Sequence, residues 1–114
     1  MKKLMLGALL GGMALTCHAA GANWQYLEGY SDGSLKIYGD ANSLNRQKHT
    51  GMTREVGSYA NGKRLNTAYK MYQADCQHNR YRITAFNGKA IDGVWNEVNP
   101  GGVGEATYRW LCGK

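Results

Sequence analysis

The chain has 114 residues, three cysteines and a formal net charge of +6. That length suits one domain. The longest apolar run, Leu4 to Leu15, is short of the roughly 20 apolar residues that a membrane-spanning helix requires, and no later stretch is apolar enough to act as a second anchor.

The first residues read as an export signal. Lys2 and Lys3 form a positive start, and an uncharged apolar run follows from Leu4 to Leu15. Cleavage after Ala19 or after Ala22 is compatible with the small residues there. The Ala20-Gly21-Ala22 pattern favours the latter, making residues 1–22 the signal and 23–114 the exported domain. Cys17 follows Thr16 rather than the small residue a lipid-attachment site wants, so it is expected to leave with the signal and no lipid anchor is predicted. The expected location is the periplasm, the outer membrane or the cell surface of a bacterium.

Without Lys2 and Lys3, the fourteen basic residues become twelve against eight acidic ones, a net charge of +4. An exported domain of this sign is drawn to acidic polymers and acidic protein surfaces, whereas nucleic acid lies in the wrong compartment. Two cysteines remain, Cys76 and Cys112. In an oxidising compartment a lone pair is expected to form a disulfide. The loop it closes holds 37 residues counting both ends, worth roughly 4 kcal/mol in the chain-entropy view.

Turn signals recur every eight to twelve residues, the spacing of short antiparallel strands. A first strand is predicted near Asn23–Tyr30, with Trp24 and Tyr26 alternating with polar neighbours, and Ser31 to Ser34 turn the chain. Leu35 and Ile37 mark a second strand closed by Gly39-Asp40, with Asp40 capping a short helical turn. Met52, Arg54 and Val56 share one face of a third strand that ends at Ala60 to Lys63. The fourth runs from Asn66 to Cys76; Ala68, Lys70, Tyr72, Ala74 and Cys76 lie on its core side and Thr67, Tyr69, Met71, Gln73 and Asp75 on the other. Tyr81, Ile83 and Ala85 alternate with Arg80, Arg82 and Thr84 in a fifth strand, closed by the tight-turn pair Asn87-Gly88. Ala90 to Val98 stays open between strand and loop, with Val94 and Trp95 expected to be buried. After Pro100-Gly101-Gly102, the residues Val103, Thr107, Trp110 and Leu111 recur at helical spacing. The fold class is α+β: one antiparallel sheet of about five to six strands with a C-terminal helix packed on it and stapled by Cys112.

The order of these features resembles the surface-adhesin protein E family of Gram-negative bacteria. The resemblance is carried by the Trp-started first strand, the strand ending at Asp40, Asn42-Ser43-Leu44, Lys63-Arg64 before a Tyr-rich strand ending at Cys76, and Val98-Asn99-Pro100-Gly101 before the helix and Cys112. It implies binding to host extracellular-matrix or serum proteins and pairing of two copies through the sheet. Two departures stand out: the residue before Cys17, and the absence of a Lys-rich insertion after the fifth strand.

Lys63, Arg64, Arg80 and Arg82, with Tyr69 beside them, form the predicted ligand-binding set, since clustered Lys and Arg attract acidic ligands. A solvated face serving only solubility is the plain alternative. No metal or other cofactor is predicted: His49, His78 and Cys76 are the only plausible ligands, and Cys76-x-His78 is not a structural zinc spacing. No catalytic residue is predicted either. Ser43 and Ser58 lack a nucleophile setting, and the spacing of Asp75, Asp92, Glu97 and Glu105 implies no acid–base pair. The glycine-rich run from Pro100 to Gly104 reads as a tight entry to the helix rather than an anion cradle. The expectation is a non-enzymatic envelope protein that binds an extracellular partner through a basic polar face. The alternative is a periplasmic binding or inhibitor module, or a structural accessory of the outer membrane.

Overall fold

A computed structural model of the chain describes residues 21–58 and 64–114, with backbone alone at residues 64–66. The predicted signal falls almost wholly outside these residues, as do Lys63 and the turn before it. Within them, β1 (Trp24–Gly29), β2 (Leu35–Asp40), β3 (Thr50–Ser58), β4 (Arg64–Asp75) and β5 (Arg80–Phe86) form an antiparallel meander in chain order. Two short strands, β6 (Lys89–Ala90) and β7 (Asn96–Glu97), both pair with β5, and helix α1 spans Glu105–Cys112. The α+β architecture expected from the pattern is the one observed. No helix among the described residues is long and apolar enough to cross a membrane.

Local chemistry sets the corners. The Asp32 carboxylate accepts the Ser34 backbone N–H at 2.9 Å and its hydroxyl at 2.7 Å, closing the β1–β2 turn. Asp40 caps the 3-10 turn Ala41–Ser43 by accepting the Asn42 N–H at 3.0 Å, and it also takes the Asn23 N–H at 2.8 Å. Asn87 and Gly88 both adopt positive φ, 48° and 85°, as a two-residue hairpin turn requires. The stretch from Ala90 to Val98 is an interrupted edge strand along β5, and Val94 there is 79% exposed rather than buried.

One face of the sheet carries the core. Ile37, Tyr72 and Ala74 are buried there, and α1 lays Tyr108 and Leu111 on Tyr72 and Ala74. The Trp110 indole lies over Gly39 and Gly51, where an added Cβ would come within 2.8 Å of its ring. These two backbone positions are thus the floor on which the helix rests. The helix starts later than the predicted stripe: Gly104 enters it at φ 105°, so Val103 precedes it and is 45% exposed, while Tyr108 joins the core. Cys76, just past β4, bonds Cys112 at the helix end, with Cα atoms 5.9 Å apart. This is the predicted staple, joining the helix to the strand beneath it.

The helix start is held from far away in sequence. Tyr26 pairs with Tyr38 and Glu28 with Ile37, leaving Leu27 as the extra residue of a bulge. A regular strand would leave Glu28 on the same face as Tyr26; the bulge turns it to the helix side. There its carboxylate accepts the backbone N–H groups of Gly104 at 2.9 Å and Thr107 at 3.1 Å, and the Thr107 hydroxyl at 2.8 Å. The amides that open α1 therefore already hold an anion, supplied by the chain itself.

Candidate functional site

The face of the sheet away from α1 has no covering layer among the described residues. Period-two alternation places Tyr38 on it from β2, Arg54 from β3, Tyr69 and Gln73 from β4, and Arg80 and Arg82 from β5, following the register Tyr38–Arg54–Tyr69 and Gln73–Arg82. The face is consequently rich in arginine and aromatic rings. Those two groups attract each other, because a guanidinium is drawn to the negative face of a π system.

At one end, the Arg54 guanidinium is stacked between Trp24 and Tyr38, 4.7 and 5.0 Å from the ring centroids. Trp24 leans on Tyr69 at 6.1 Å, and Tyr26 meets Tyr38 edge-on at 5.7 Å. Each such cation–π contact contributes about 0.5–2 kcal/mol, depending on how dry it is. The Nε of Arg54 is nonetheless buried with no hydrogen-bond acceptor among the described residues. Leaving a donor in that state costs about 1–3 kcal/mol, and more when it is charged. Arg54 borders a cleft of about 300 Å³ lined by Lys36, Tyr38, Val56, Ser58, Thr67 and Tyr69, with no carboxylate among the described residues of its wall. Across the Trp24–Tyr69 pair lies a second hollow of about 580 Å³, bordered by Asn42, Met52 and Met71.

At the other end, Trp95 lies against both Arg80 and Arg82, whose guanidinium carbons are 4.8 and 4.6 Å from its ring centroid. Trp95 was expected in the core. It is instead half-buried beneath two arginines, because α1 covers the opposite face. Arg80 Nε donates to Asp75 at 2.9 Å and Arg82 Nε to Gln73 at 3.0 Å, so both are fixed in position. Burial works against the charge on Asp75, but hydrogen bonds from Arg80 and His78 outweigh it and hold the carboxyl below its ordinary value.

The predicted binding residues divide between these places. Arg80 and Arg82 stand together over Trp95. Tyr69 lies in the Arg54 cluster, its backbone held by Asn87 through N–H···O bonds of 2.8 and 2.6 Å. Arg64 pairs with Ser58, whereas Arg80 pairs with Asp75 at the far end of β4. Those ends are separated by eleven residues of strand, roughly 35 Å at the usual rise. Arg64 and the Arg80–Arg82 pair are thus distinct groups, and Lys63 lies outside the described residues. Arg54, Lys36 and Trp24 were not in the predicted set. The common face of Met52, Arg54 and Val56 was visible in the alternation, but its meeting with Trp24 and Tyr38 required the register of three strands.

Other polar groups are committed to structure. The Ser43 hydroxyl donates to the Asp40 carbonyl at 2.7 Å and accepts the Met52 N–H at 2.8 Å. Glu105 accepts the Gly101 N–H at 2.9 Å. On the helix side Glu55 takes hydrogen bonds from Lys70 at 2.9 Å and from the Tyr72 hydroxyl at 2.8 Å. Burial and that carboxylate push the Tyr72 phenol well above its ordinary value; burial, Glu28 and Glu55 raise Tyr81 as well. No three of His, Cys, Asp or Glu converge as metal ligands among the described residues. Compared with protein-family models, curated proteins and solved structures, the chain finds no match.

Proposed function

We propose that this is a non-enzymatic, exported envelope protein whose helix-free sheet face binds an extracellular protein partner of acidic character, as the adhesin E resemblance suggests. The observation that carries the reading is the set of three arginines held on aromatic rings across that face: Arg54 on Trp24 and Tyr38, Arg80 and Arg82 on Trp95. Arginine and large aromatics are the residues that dominate binding energy at protein interfaces. Stacking also fixes rotamers that a flexible cation would lose on binding, which lowers the entropic cost of association. The apolar signal at residues 1–22 and the disulfide support exposure to an oxidising compartment.

The test is surface-plasmon binding of the oxidised protein to immobilised vitronectin, laminin and heparin at physiological salt. Arg80→Glu/Arg82→Glu and Lys63→Glu/Arg64→Glu variants run beside it, so the two ends of β4 are separated. Saturable, salt-sensitive binding that the Arg80/Arg82 variant loses supports the reading. Absence of binding to all three surfaces overturns the adhesin reading in favour of a module acting inside the envelope.

A further inference from the structure

Among the described residues, the cleft at Arg54 holds two cations, Arg54 and Lys36, and no carboxylate to neutralise them. The nearest acidic residue on β3, Glu55, lies on the opposite face and is engaged by Lys70 and Tyr72. The guanidinium lies over both the Trp24 and the Tyr38 ring, which orients it before any ligand arrives. Its Nε has no acceptor among the described residues. A half-buried arginine oriented by two rings, with no carboxylate beside it among the described residues, is a site awaiting an anion, and the geometry that matches a guanidinium is a carboxylate.

The rest of the wall narrows the ligand. Tyr38, Ser58, Thr67 and Tyr69 bring hydroxyl groups to the cleft. Its volume of about 300 Å³ lies at the lower end of small-molecule sites. That combination suits one polar ring bearing a carboxylate. The geometry points to a binding site for a carboxylated sugar of the uronate type: the carboxylate on Arg54 and Lys36, the sugar hydroxyls on Ser58, Thr67 and Tyr69. This rests on the helix-free face being the recognition surface and names a ligand class for one end of it.

The experiment is an NMR titration of the oxidised protein with glucuronate, and at matched ionic strength with glucose and with acetate. Resonances of the Trp24 indole and the Arg54 side chain report the site. Glucuronate is expected to shift both saturably, while glucose leaves them unchanged and acetate binds more weakly. Lys36→Gln is expected to weaken glucuronate by about tenfold, the loss of one charge-assisted contact. Arg80→Glu/Arg82→Glu is expected to leave it unaltered. No saturable shift, an equal response to acetate or glucose, or unchanged affinity in Lys36→Gln would each overturn the site. Matrix-protein binding that persists while glucuronate fails removes this site alone. Glucuronate binding without any matrix binding removes the adhesin reading and leaves the site.

Discussion

Replacing Glu28 by alanine removes the side chain that caps the start of α1, and the consequence can be sized. Its carboxylate accepts three hydrogen bonds, from Gly104 N–H, Thr107 N–H and the Thr107 hydroxyl. Thr107 is 2% exposed, so water cannot readily replace the lost acceptor. Gly104, at the N-cap position, has no side chain to take over. A lost cap typically costs about 1 kcal/mol and up to about 2, and a charge-assisted bond to a buried group about 1.5–3. These describe the same contacts and do not add, so about 2–3 kcal/mol is expected. A domain of this size has roughly 5–14 kcal/mol in all, and the melting temperature should fall by about 10–20 °C. Urea unfolding followed by circular dichroism, on the oxidised protein, gives the difference at constant m-value. Glu28→Gln keeps one acceptor oxygen without the charge and should lose about half as much. A cost for Glu28→Ala within about 0.5 kcal/mol, the range of ordinary surface changes, would refute the idea that this carboxylate holds the helix.

Two further outcomes follow from the same packing. Gly51→Ala would place a methyl 2.7 Å from the Trp110 ring and 3.1 Å from Leu111; overpacking of this kind costs about 1–3 kcal/mol, and urea unfolding with Trp110 fluorescence should show both the loss and a displaced indole. The raised phenol of Tyr72 favours its neutral form in the fold, so its contribution is complete below the ordinary value of 10.0 and is lost as pH climbs above it. Tyr72→Phe should therefore flatten the decline of stability in alkali, as measured by urea midpoints across that range; an unchanged slope would show that Tyr72 does not drive it.

Much of the fold was legible because its signals are local. Alternation in Leu35–Asp40 and in the fourth strand, the Asn87-Gly88 turn and the Asp40 cap each depend on residues within a few positions of one another. The two cysteines were legible for a different reason: once Cys17 is read as part of the signal, Cys76 and Cys112 have only each other, and they are bonded. Period-two alternation likewise placed Arg80, Arg82 and Tyr69 on faces correctly relative to their own strands.

What the chain order could not convey was which residues meet across strands. Trp95 read as a core residue because hydrophobicity alone does not say which face the helix will cover. Arg54 read as one member of an alternating strand, since its stack with Trp24 and Tyr38 exists only when β1, β2 and β3 are in register. Lys63-Arg64 and Arg80-Arg82 looked like neighbours, but antiparallel pairing sends the start of β4 and the start of β5 to opposite ends. The helix shows the division most clearly. Its apolar spacing announced it, yet its start was misplaced because its cap, Glu28, lies 76 residues before Gly104 and reaches it only through a one-residue bulge. Sequence by itself determined the strands, the turns and the staple, because these depend on backbone preferences and short-range hydrogen bonds. Tertiary structure alone decided the helix cap and the arginine–aromatic face, because both depend on strand register, where a single extra residue exchanges one face for the other.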